Sequence, residues 1–401
     1  MSVKSNFRCV TCTAPVNIAV IKYWGKTDEK RILPTNPSLS VTLGQDELRA
    51  KTSVAVSSSF SEDRMWLNGI EQSVSSPRIQ NVLKEIRRRA HKRKSGDSKD
   101  DIGLTQHVHI VSENNFPTAA GLASSAAGYA CLVFALGKLF GVHGEISDIA
   151  RQGSGSACRS LYGGYVLWKM GSKEDGSDSH AVQVQPETHW PQMRSLILVV
   201  SDQKKHVGST EGMQTTVQTS ELMEKRIKLV DKRTEEITQA IKERDFPTFA
   251  KITMQESNQL HAVCLDTYPP IFYMTDTSRL IVRLVHAIND ISGKVKVAYT
   301  FDAGPNACLY LLEEDVPHVL ALVRHFFPPS KNMTDSSFVT GLKLDEIKPS
   351  SADIAQINIP ISEGAVKYVI HTKVGPGPQV LTDPEGSLFT REGKPKLRSS
   401  S

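Results

Sequence analysis

One stretch of the chain combines residue types and spacing that could bind phosphate. Residues 114–128 read N-N-F-P-T-A-A-G-L-A-S-S-A-A-G. Pro117 disfavours helix in the residue before it, and Gly121 permits a tight turn. The compact residues that follow would let a helix begin close to a ligand, with unpaired N–H groups and a partly positive end facing it. The stretch therefore predicts a phosphate site at a helix start, and an ordinary loop with a helix cap is the alternative.

A second candidate for chemistry is Asp302, in the segment Y-T-F-D-A-G-P-N-A at residues 299–307. It ends a predicted strand and precedes a Gly-Pro turn, so that the edge of a sheet would hold its side chain firmly. An aspartate before glycine most often forms a turn, but a positioned carboxylate can also accept a proton from a hydroxyl. The residue pattern alone leaves both roles open.

A third candidate is Arg159, which closes the segment G-S-G-S-A-C-R at residues 153–159. A guanidinium can hold a carboxylate or a phosphate through two parallel hydrogen bonds, and a structural ion pair is the alternative. The Gly-x-Gly spacing also resembles a dinucleotide-binding fingerprint. The last slot of that fingerprint holds Cys158, however, and no predicted strand precedes it, so a Rossmann interpretation is weak.

Two further motifs resemble known sites but lack essential parts. Residues 25–27, Gly-Lys-Thr, imitate the end of a Walker phosphate loop, but the glycine that such a loop needs five residues earlier is Val20. Cys9 and Cys12 have the spacing of half a zinc site, and no second Cys/His pair at ligand spacing follows. We therefore expect six reduced thiols rather than a metal or redox centre, and the two histidines of residues 107–109 are expected to face solvent.

Length and composition describe a large globular chain. It has 401 residues, of which 39% are apolar and 23% charged, as in one large or two ordinary soluble domains. Its formal charge of +5 favours anionic partners without choosing between nucleic acid and phosphorylated metabolites. No apolar run reaches the length of a membrane span, and the first residues, M-S-V-K-S-N-F-R-C, lack a signal peptide's apolar region. We expect a cytosolic (cytoplasmic) protein without a membrane partner.

Hydrophobic periodicity and turn residues predict the elements that would position these candidates. Strands are predicted at residues 8–22, 39–43, 52–60, 64–67, 108–112, 162–168, 196–200, 295–301, 307–312 and 366–371, and helices at 78–92, 121–140, 146–151, 221–244, 249–260, 278–291 and 316–327. Asn68-Gly69 is a strong hairpin signal, and Gly208-Ser209-Thr210 is predicted to be a turn or a helix cap. The mixture predicts an α+β fold in two halves that meet near residue 190.

Four segments together resemble one enzyme superfamily. N-F-P-T-A-A-G-L-A-S-S-A resembles the phosphate loop of the galactokinase, homoserine kinase, mevalonate kinase and phosphomevalonate kinase superfamily. Residues 14–26, A-P-V-N-I-A-V-I-K-Y-W-G-K, lack the Gly-Glu-His type motif of most of these kinases and have the form of the diphosphomevalonate decarboxylases. Residues 153–164, 299–307 and 374–378 extend the resemblance over most of the chain, and the match is to the vertebrate type.

This resemblance implies a fold and a reaction. The fold would be an N-terminal ribosomal-protein-S5-like domain at residues 1–190 and a C-terminal ferredoxin-like α+β domain at 191–401, with the active site in the cleft between them. The reaction would be the ATP-dependent decarboxylation of (R)-mevalonate 5-diphosphate to isopentenyl diphosphate, ADP, phosphate and CO2, in isoprenoid and sterol biosynthesis. Mg-ATP would be the co-substrate without an organic prosthetic group, and the enzyme would be a homodimer that binds no nucleic acid.

The resemblance also implies roles for particular residues. Asp302 would accept the proton of the substrate's tertiary hydroxyl, and Asn17 would hold Arg159 or the substrate carboxylate. The implied catalytic residues are Asp302, Arg159, Asn17 and Ser124, and Ser124 is also the candidate magnesium ligand. The implied substrate-binding residues are Tyr23, Trp24, Gly25, Lys26, Arg78, Ser154, Gly155, Ser156, Ala157, Cys158, Arg159 and Thr210. The implied ATP-binding residues are Lys22, Pro117, Ala120, Gly121, Leu122, Ala123, Ser124 and Ser125.

Two other functions compete with this interpretation. A small-molecule kinase of the same superfamily would stop at the phosphate ester, but the missing Gly-Glu-His motif and the D-A-G-P segment speak against it. An RNA-binding protein would use the basic stretch 87–94. No aromatic residues interleave with these charges, so a solvated helix end is the favoured interpretation of the stretch.

Overall fold

The computed structural model describes residues 7–94, 106–116, 124–203, 205–344, 347–390 and 392–396, and this part of the chain contains both strands and helices. The strands are β1 (Arg8–Pro15), β2 (Asn17–Ala19), β3 (Lys26–Asp28), β4 (Leu33–Pro34), β5 (Ser38–Thr42), β6 (Arg49–Val56), β7 (Arg64–Leu67), β8 (Ile70–Gln72), β9 (Val108–Asn114), β10 (Tyr165–Trp168), β11 (Ala181–Gln185), β12 (Met193–Val199), β13 (Val297–Phe301), β14 (Ala307–Leu312), β15 (Val339–Gly341), β16 (Tyr368–Lys373) and β17 (Gln379–Leu381). The helices are α1 (Pro77–Lys94), α2 (Ser124–Phe140), α3 (Ser147–Gly153), α4 (Ser209–Thr219), α5 (Glu221–Glu243), α6 (Phe246–Asp266), α7 (Asp276–Ser292), α8 (Val316–Phe326), α9 (Asp335–Phe338) and α10 (Ser351–Gln356), with 3₁₀ turns at Gly155–Leu161, Glu313–Asp315 and Pro384–Gly386.

The first half of the chain contains two main sheets, and helix α2 packs on the larger of them. A six-stranded sheet has the order β17-β1-β6-β9-β7-β8, and a four-stranded sheet has the order β11-β10-β5-β2. Helix α2 packs on β1 and β6 on one side and on the 3₁₀ turn Gly155–Leu161 on the other. Its buried residues include Ala126, Ala127 and Ala130, which have no bulky side chain to hold the neighbouring elements apart. The alanine-rich sequence after the phosphate-loop segment thus lets two layers approach one helix.

The second half forms one five-stranded sheet covered by helices. Its order is β13-β14-β12-β16-β15, antiparallel except where β15 runs parallel to β16. Helices α5 and α6 pack against each other, and α6 also packs on β13. The apolar residues of α6 recur along the face that is buried, including Phe249, Ile252 and Leu260. This placement brings α6 directly beneath the strand that ends at the predicted catalytic aspartate.

The chain returns to its first sheet after crossing the second half. Strand β17 forms the edge of the six-stranded sheet and pairs antiparallel with β1, so that Thr11 lies opposite Leu381. Beyond it, Leu388 and Phe389 join a buried apolar cluster with Trp66 of β7. The predicted boundary near residue 190 stays a prediction, and the structure adds that the segment around β17 belongs to the first sheet although it lies inside the predicted 191–401 domain.

Glycines allow this returning segment to approach the first half closely. A Cβ atom on Gly163 would lie 2.7 Å from the backbone nitrogen of Gly377, and one on Gly375 would lie 2.7 Å from the Cα atom of Gly44. The amide of Gly164 donates to the carbonyl of Gly375 at 3.0 Å. The glycines of the 161–164 and 374–378 segments therefore serve a backbone-to-backbone contact.

The α+β class is confirmed, and most predicted elements are present within a few residues. The Asn68-Gly69 hairpin joins β7 and β8, and both residues have positive φ values.

The prediction that both histidines of residues 107–109 face solvent is wrong for His109. Its ring stacks on that of Phe60, with 3.5 Å between the ring centroids, because the C-terminal segment covers this face. None of the described helices is both long and apolar enough to cross a membrane.

The predicted solvated helix end at 87–94 carries paired charges where its side chains are described. Arg87 lies 3.1 Å from Asp63, Arg88 lies 2.5 Å from Glu85, and Arg89 contacts Glu85 and Asp148. These acids offset the basic residues, which supports the ordinary interpretation of this stretch over a nucleic-acid surface.

Candidate functional site

A cavity of about 400 Å³ opens between the two halves of the chain. Residues from β2, the 22–26 segment, α1, the start of α2 and the 3₁₀ turn face residues from α4 and the end of β13 across it. The predicted site residues that line it are Asn17, Lys22, Tyr23, Trp24, Lys26, Arg78, Ser124, Ser125, Ser154, Gly155, Ser156, Arg159, Thr210 and Asp302. Segments far apart in sequence, which the resemblance had grouped, are therefore brought together in one cavity.

At the junction of the two halves, Lys22 and Asp302 form an ion pair. Lys22 Nζ lies 2.5 Å from Asp302 Oδ1, and the side chain of Lys22 is 2% exposed whereas that of Asp302 is 29% exposed. Asp302 follows the last residue of β13, as the sequence predicted. Lys22 holds one carboxylate oxygen, and the partly exposed carboxylate faces the cavity, where it can accept a proton.

Arg159 is a buried cation whose described partners are neutral. Its Nε donates to Asn17 Oδ1 at 3.2 Å, its Nη1 donates to Ser38 Oγ at 2.9 Å, and its guanidinium lies 5.8 Å from the ring centroid of Trp168. Burial lowers the pKa of Arg159. Among the described residues no carboxylate forms an ion pair with it, so the structural ion pair considered from the sequence is not formed there. A guanidinium held in this way at a cavity wall is suited to an anionic ligand.

The segment 23–26 contributes to the cavity in different ways. The hydroxyl of Tyr23 is buried without a hydrogen-bond partner among the described residues, and Tyr23 lines the cavity. Trp24 Nε1 already donates to Thr216 Oγ1 at 3.0 Å. Gly25 has a φ of +103° and does not line the cavity; a Cβ atom there would lie 2.9 Å from Met223 Cε. Burial lowers the pKa of Lys26, whose Nζ is 3.9 Å from Glu29.

The 3₁₀ turn presents only part of its predicted set to the cavity. Ser154, Gly155 and Ser156 line it, whereas Ala157 and Cys158 are fully buried and do not. Cys158 Sγ donates to the carbonyl of Gly155 at 3.0 Å, and burial raises the pKa of this thiol to about 12. The sequence alone did not distinguish these positions, because the residues of a 3₁₀ helix point in three directions in turn and only the packing around the turn decides which direction faces the cavity.

Arg78 and Thr210, two predicted substrate-binding residues that both line the cavity, are hydrogen-bonded to each other. Arg78 Nη2 donates to Thr210 Oγ1 at 3.0 Å. Arg78 lies in the first turn of α1, and Thr210 lies in the first turn of α4, which begins after Gly208. This single bond links an element of the first half to one of the second.

A second cavity of about 310 Å³ adjoins the first. Ser124 and Ser125, at the start of α2, line both cavities. The remaining wall is largely apolar and includes Met65 and Leu67 of β7 and Leu132 of α2. Five residues of the predicted phosphate loop, Pro117, Ala120, Gly121, Leu122 and Ala123, lie outside the described residues. The described start of α2 nevertheless stands where an extended ligand could pass from one cavity to the other.

Sequence reasoning missed Lys205 as a residue of the cavity. Its Nζ donates to Ser209 Oγ at 2.7 Å and to the carbonyl of Ala303 at 3.0 Å, and it lies 5.6 Å from the ring centroid of Tyr273. Burial lowers its pKa, and the negative charge of Asp302 opposes this. A lysine just before a Gly-Ser-Thr helix start was the available signal, but in sequence a cavity lysine in a polar loop is indistinguishable from a solvated one.

The described residues include no group of three His, Cys, Asp or Glu side chains that could hold a metal ion by themselves. Mg²⁺ bound with a nucleotide takes few protein ligands and several phosphate oxygens and waters. A serine hydroxyl beside a carboxylate-bearing cavity fits such a shared ion, and the assignment of Ser124 as a magnesium ligand stays a prediction.

Two family profiles match consecutive parts of the chain. The diphosphomevalonate decarboxylase-like N-terminal domain matches residues 14–181, and the mevalonate 5-diphosphate decarboxylase C-terminal domain matches residues 195–381. The gap between the two matches contains the boundary predicted near residue 190.

Individual proteins are similar over nearly the whole chain. The diphosphomevalonate decarboxylase of Bos taurus is 55% identical over 390 residues, which cover 96% of this chain and 97% of the bovine protein. The solved structure of mevalonate diphosphate decarboxylase from Trypanosoma brucei has a TM-score of 0.84 at 40% identity and covers 96% of this chain and 100% of that one. A further solved structure, described as MDDEF in complex with MVAPP, AMPPCP and magnesium, has a TM-score of 0.73 at 29% identity and covers 94% and 99% of the two chains.

Proposed function

The chain belongs to the diphosphomevalonate decarboxylase family, and from this membership we propose how its residues carry out the reaction. It is a decarboxylase of the mevalonate pathway, which supplies isoprenoids and sterols. The proposed reaction consumes (R)-mevalonate 5-diphosphate and ATP and releases isopentenyl diphosphate, ADP, phosphate and CO2. The observation that carries the assignment is the Lys22–Asp302 pair at the cavity wall.

Asp302 accepts the proton of the substrate's tertiary hydroxyl while that oxygen attacks the γ-phosphorus of ATP. Lys22 holds the carboxylate in one orientation, because its ammonium is fixed 2.5 Å from Oδ1. Lys205 adds a second positive charge close to Asp302, where the transferred phosphoryl group must arrive. Positive charges fixed in advance stabilise the charge of a transferring phosphoryl group without reorganisation.

Arg159 holds the carboxylate of the substrate, and Asn17 orients the guanidinium. The support is the buried guanidinium with neutral partners, since an anionic ligand would supply the missing counter-charge. The two-pronged grip fixes the carboxylate relative to the tertiary carbon. Once phosphate leaves that carbon, the electrons of the carboxylate-bearing bond form the new double bond and CO2 departs.

The 5-diphosphate is assigned to the donors at the other end of the cavity. Tyr23 offers a hydroxyl that has no hydrogen-bond partner in the described part of the chain, Lys26 and Arg78 offer cations, and Ser154 and Ser156 offer hydroxyl or amide groups. Gly25, Ala157 and Cys158, whose side chains do not line the cavity, can take part only through their backbone. Trp24 serves this site by packing, because its N–H is already used.

ATP is proposed to lie across Ser124 and Ser125. Its base would occupy the second, largely apolar cavity, and its phosphates would reach the first cavity over the start of α2. The related structure with AMPPCP and magnesium supports a nucleotide and Mg²⁺ as requirements of this family. When bound, Mg²⁺ would neutralise the phosphate oxygens, and Ser124 is its proposed ligand on the protein.

The test is the stoichiometry of the reaction. Mixing the protein with (R)-mevalonate 5-diphosphate, ATP and Mg²⁺ should give one ADP, one inorganic phosphate and one CO2 for each substrate consumed. A small-molecule kinase would give ADP and a stable phosphorylated product without CO2. An RNA-binding protein would show no ATP turnover and would lose RNA affinity with salt, an outcome that the paired charges of Arg87, Arg88 and Arg89 do not favour.

The homodimer and the cytosolic location are proposed on the resemblance. Several large apolar side chains are exposed together where the ends of α4 and α6 meet, at Leu222, Leu265, Tyr268 and Phe272. Exposed apolar surface of this kind is commonly covered by a protein partner, here a second copy. Sedimentation equilibrium tests the dimer, and fractionation of cells that express the tagged chain tests the location.

A further inference from the structure

A buried ion pair between helices α5 and α6 lies behind the Lys22–Asp302 pair and does not line the cavity. Arg226 Nη2 lies 2.8 Å from Glu256 Oε2, and both side chains are 0% exposed. Burial acts to raise the pKa of Glu256, but the charge of Arg226 and the hydrogen bonds from Arg226, Arg233 and the Lys22 amide outweigh it, and the pKa is lowered. Glu256 is therefore an anion inside the protein.

Each member of this ion pair forms a hydrogen bond with the backbone of Lys22, one with its amide and the other with its carbonyl. Glu256 Oε2 accepts from the Lys22 amide at 3.1 Å, and Arg226 Nη2 donates to the Lys22 carbonyl at 2.9 Å. Lys22 lies outside the regular strands, in the segment between β2 and β3. Its backbone therefore depends on side chains of the opposite half of the chain for two of its hydrogen bonds.

The next residue of α6, Ser257, binds the backbone beside Asp302, the other member of the catalytic pair. Ser257 Oγ accepts from the Phe301 amide at 2.9 Å, one residue before Asp302. Consecutive residues of one helix, Glu256 and Ser257, thus bind the backbone next to both partners of the 2.5 Å Lys22–Asp302 contact. Their spacing along α6 sets how far apart the two backbones lie.

We propose that Arg226 and Glu256 are positioning residues, which place the Lys22 ammonium against the Asp302 carboxylate by clamping the Lys22 backbone to α6. The proposal rests on the assignment of Lys22 and Asp302 to the reaction. A buried ion pair is often no more stabilising than apolar side chains of the same volume, so packing alone does not require these charges. Apolar residues could not form directional hydrogen bonds with the Lys22 amide and carbonyl.

The test compares two double variants that differ in one acceptor. Arg226→Met with Glu256→Leu removes both charges and both bonds to Lys22. Arg226→Met with Glu256→Gln also removes both charges but keeps an amide oxygen that can accept from the Lys22 amide. Neither leaves an unpaired charge at these two positions, and both remove the carboxylate that Arg233 Nη1 contacts at 2.8 Å, so this loss is the same in the two variants. We expect the first to lower kcat by at least about tenfold with both KM values within about threefold of wild type, and the second to recover part of the loss.

A matched control removes an ion pair of the same half that does not touch the cavity. Lys296 lies 3.3 Å from Asp315, and Lys296→Met with Asp315→Leu should leave kcat at the wild-type value. Melting temperatures of all variants separate lost stability from lost positioning. Wild-type kcat in the Arg226→Met/Glu256→Leu variant, or no recovery in its Glu256→Gln counterpart, would overturn the proposal.

A single variant tests the proposal even if the double variants do not fold. Arg226→Lys keeps a positive charge beside Glu256 but loses the guanidinium fork, whose Nη2 contacts Glu256 and the Lys22 carbonyl at once. Its kcat should fall while its KM values hold, and a folded Arg226→Lys variant with wild-type kcat would contradict the clamp. Release of ADP and CO2 by the wild-type enzyme, and its loss in Lys22→Met, test the proposed function separately from these variants.

Discussion

Within the larger cavity, a lysine of the first half and an aspartate of the second meet at 2.5 Å. The lysine is buried whereas the aspartate is partly exposed, so the cation acts as a fixed support and the carboxylate remains accessible to a hydroxyl. Arg159 completes the arrangement as a buried cation with neutral partners. At this scale the site consists of charges held in place by the protein, which is what phosphoryl transfer requires.

Replacing Asp302 by asparagine tests its role as proton acceptor. Asp302→Asn keeps the shape of the side chain but removes its proton affinity, so kcat should fall by about 10²–10⁴ while substrate still binds. Single-turnover ADP release measures the chemical step, and calorimetric titration with the 5-diphosphate measures binding. Near-normal turnover would rule out the assigned role.

His261 should make stability depend on pH. Burial lowers the pKa of His261 to about 4, and the nearby Lys22 ammonium adds to this effect. The unfolded chain would bind a proton at a pKa of about 6.5, so the free energy of unfolding is highest above that pH and falls as the pH drops from about 6.5 towards 4. His261→Leu should remove up to about 3 kcal/mol of this fall, measured by urea unfolding at several pH values.

The exposed residue His143 supplies the control for this pH dependence. His143→Leu should change the slope of unfolding free energy against pH less than His261→Leu does, because it removes an exposed imidazole. An equal slope in the His261→Leu variant and the wild-type protein would show that the buried imidazole does not make this contribution.

The residue types of the site could be read from the sequence, but their individual contacts could not. Asp302, Arg159 and Asn17 were identified by motif, and all three line the cavity. Lys22 was assigned to ATP, whereas the structure pairs it with Asp302, a residue 280 positions away. Contacts of that sequence separation depend on how the two halves dock, which no local pattern encodes.

At the level of elements, one helix and one 3₁₀ turn organise the site. Helix α6 holds the backbones of Lys22 and Phe301, and the turn Gly155–Leu161 supplies Arg159 together with serine groups. Both elements belong to the interior of their half. Their positions in turn depend on close contacts elsewhere, especially where the glycine-rich segments meet.

A side chain at Gly163 should disturb this packing. In Gly163→Ala the new Cβ atom would lie 2.7 Å from Gly377 N and 2.8 Å from Pro376 Cα, which are backbone atoms that cannot rotate away. Overpacking of this kind costs about 1–3 kcal/mol, so the melting temperature should drop. In the control Gly386→Ala, the Cβ atom meets only Leu381 side-chain atoms, the nearest at 3.4 Å, and an equal loss in both variants would contradict the backbone explanation.

Elements with a strong apolar period were predicted from the sequence, and those without one were not. Helices α5 and α7 have a regular apolar face and were placed to within a few residues. Helix α4 buries only Gly212, Met213 and Thr216, so its sequence resembled a polar turn. Strand β17 is three residues long, which is too short to produce an alternation that could be recognised.

At the scale of the whole molecule, the segment around β17 follows the second half in sequence but packs against the first half. Phe389 is 4% exposed and packs with Leu388 and Trp66 over the outer face of the six-stranded sheet. This face would otherwise present apolar side chains to water, so the returning segment should contribute to the stability of the first half.

Truncating Phe389 tests that contribution. Phe389→Ala should lower the free energy of unfolding by about 3–5 kcal/mol, since a buried aromatic ring is removed. Val380→Ala, at a position of the same segment that is 42% exposed, should change it by less than about 0.5 kcal/mol. Denaturant unfolding measures both variants, and similar values for the two would show that the segment only rests on the sheet.

The return of the chain to β1 also has a consequence for the order in which the molecule can be assembled. The chain enters the five-stranded sheet at β12 and leaves it at β16, where Arg194 and Lys373 lie opposite each other. Folding of that sheet brings these two points together, which removes most of the entropy cost of closing the long intervening loop. During synthesis one edge of β1 stays unpaired until β17 emerges from the ribosome, hundreds of residues later. An unpaired strand edge can pair with another chain. Of the described strands β1 comes first in the sequence, yet its outer edge is covered only once β17 has been made.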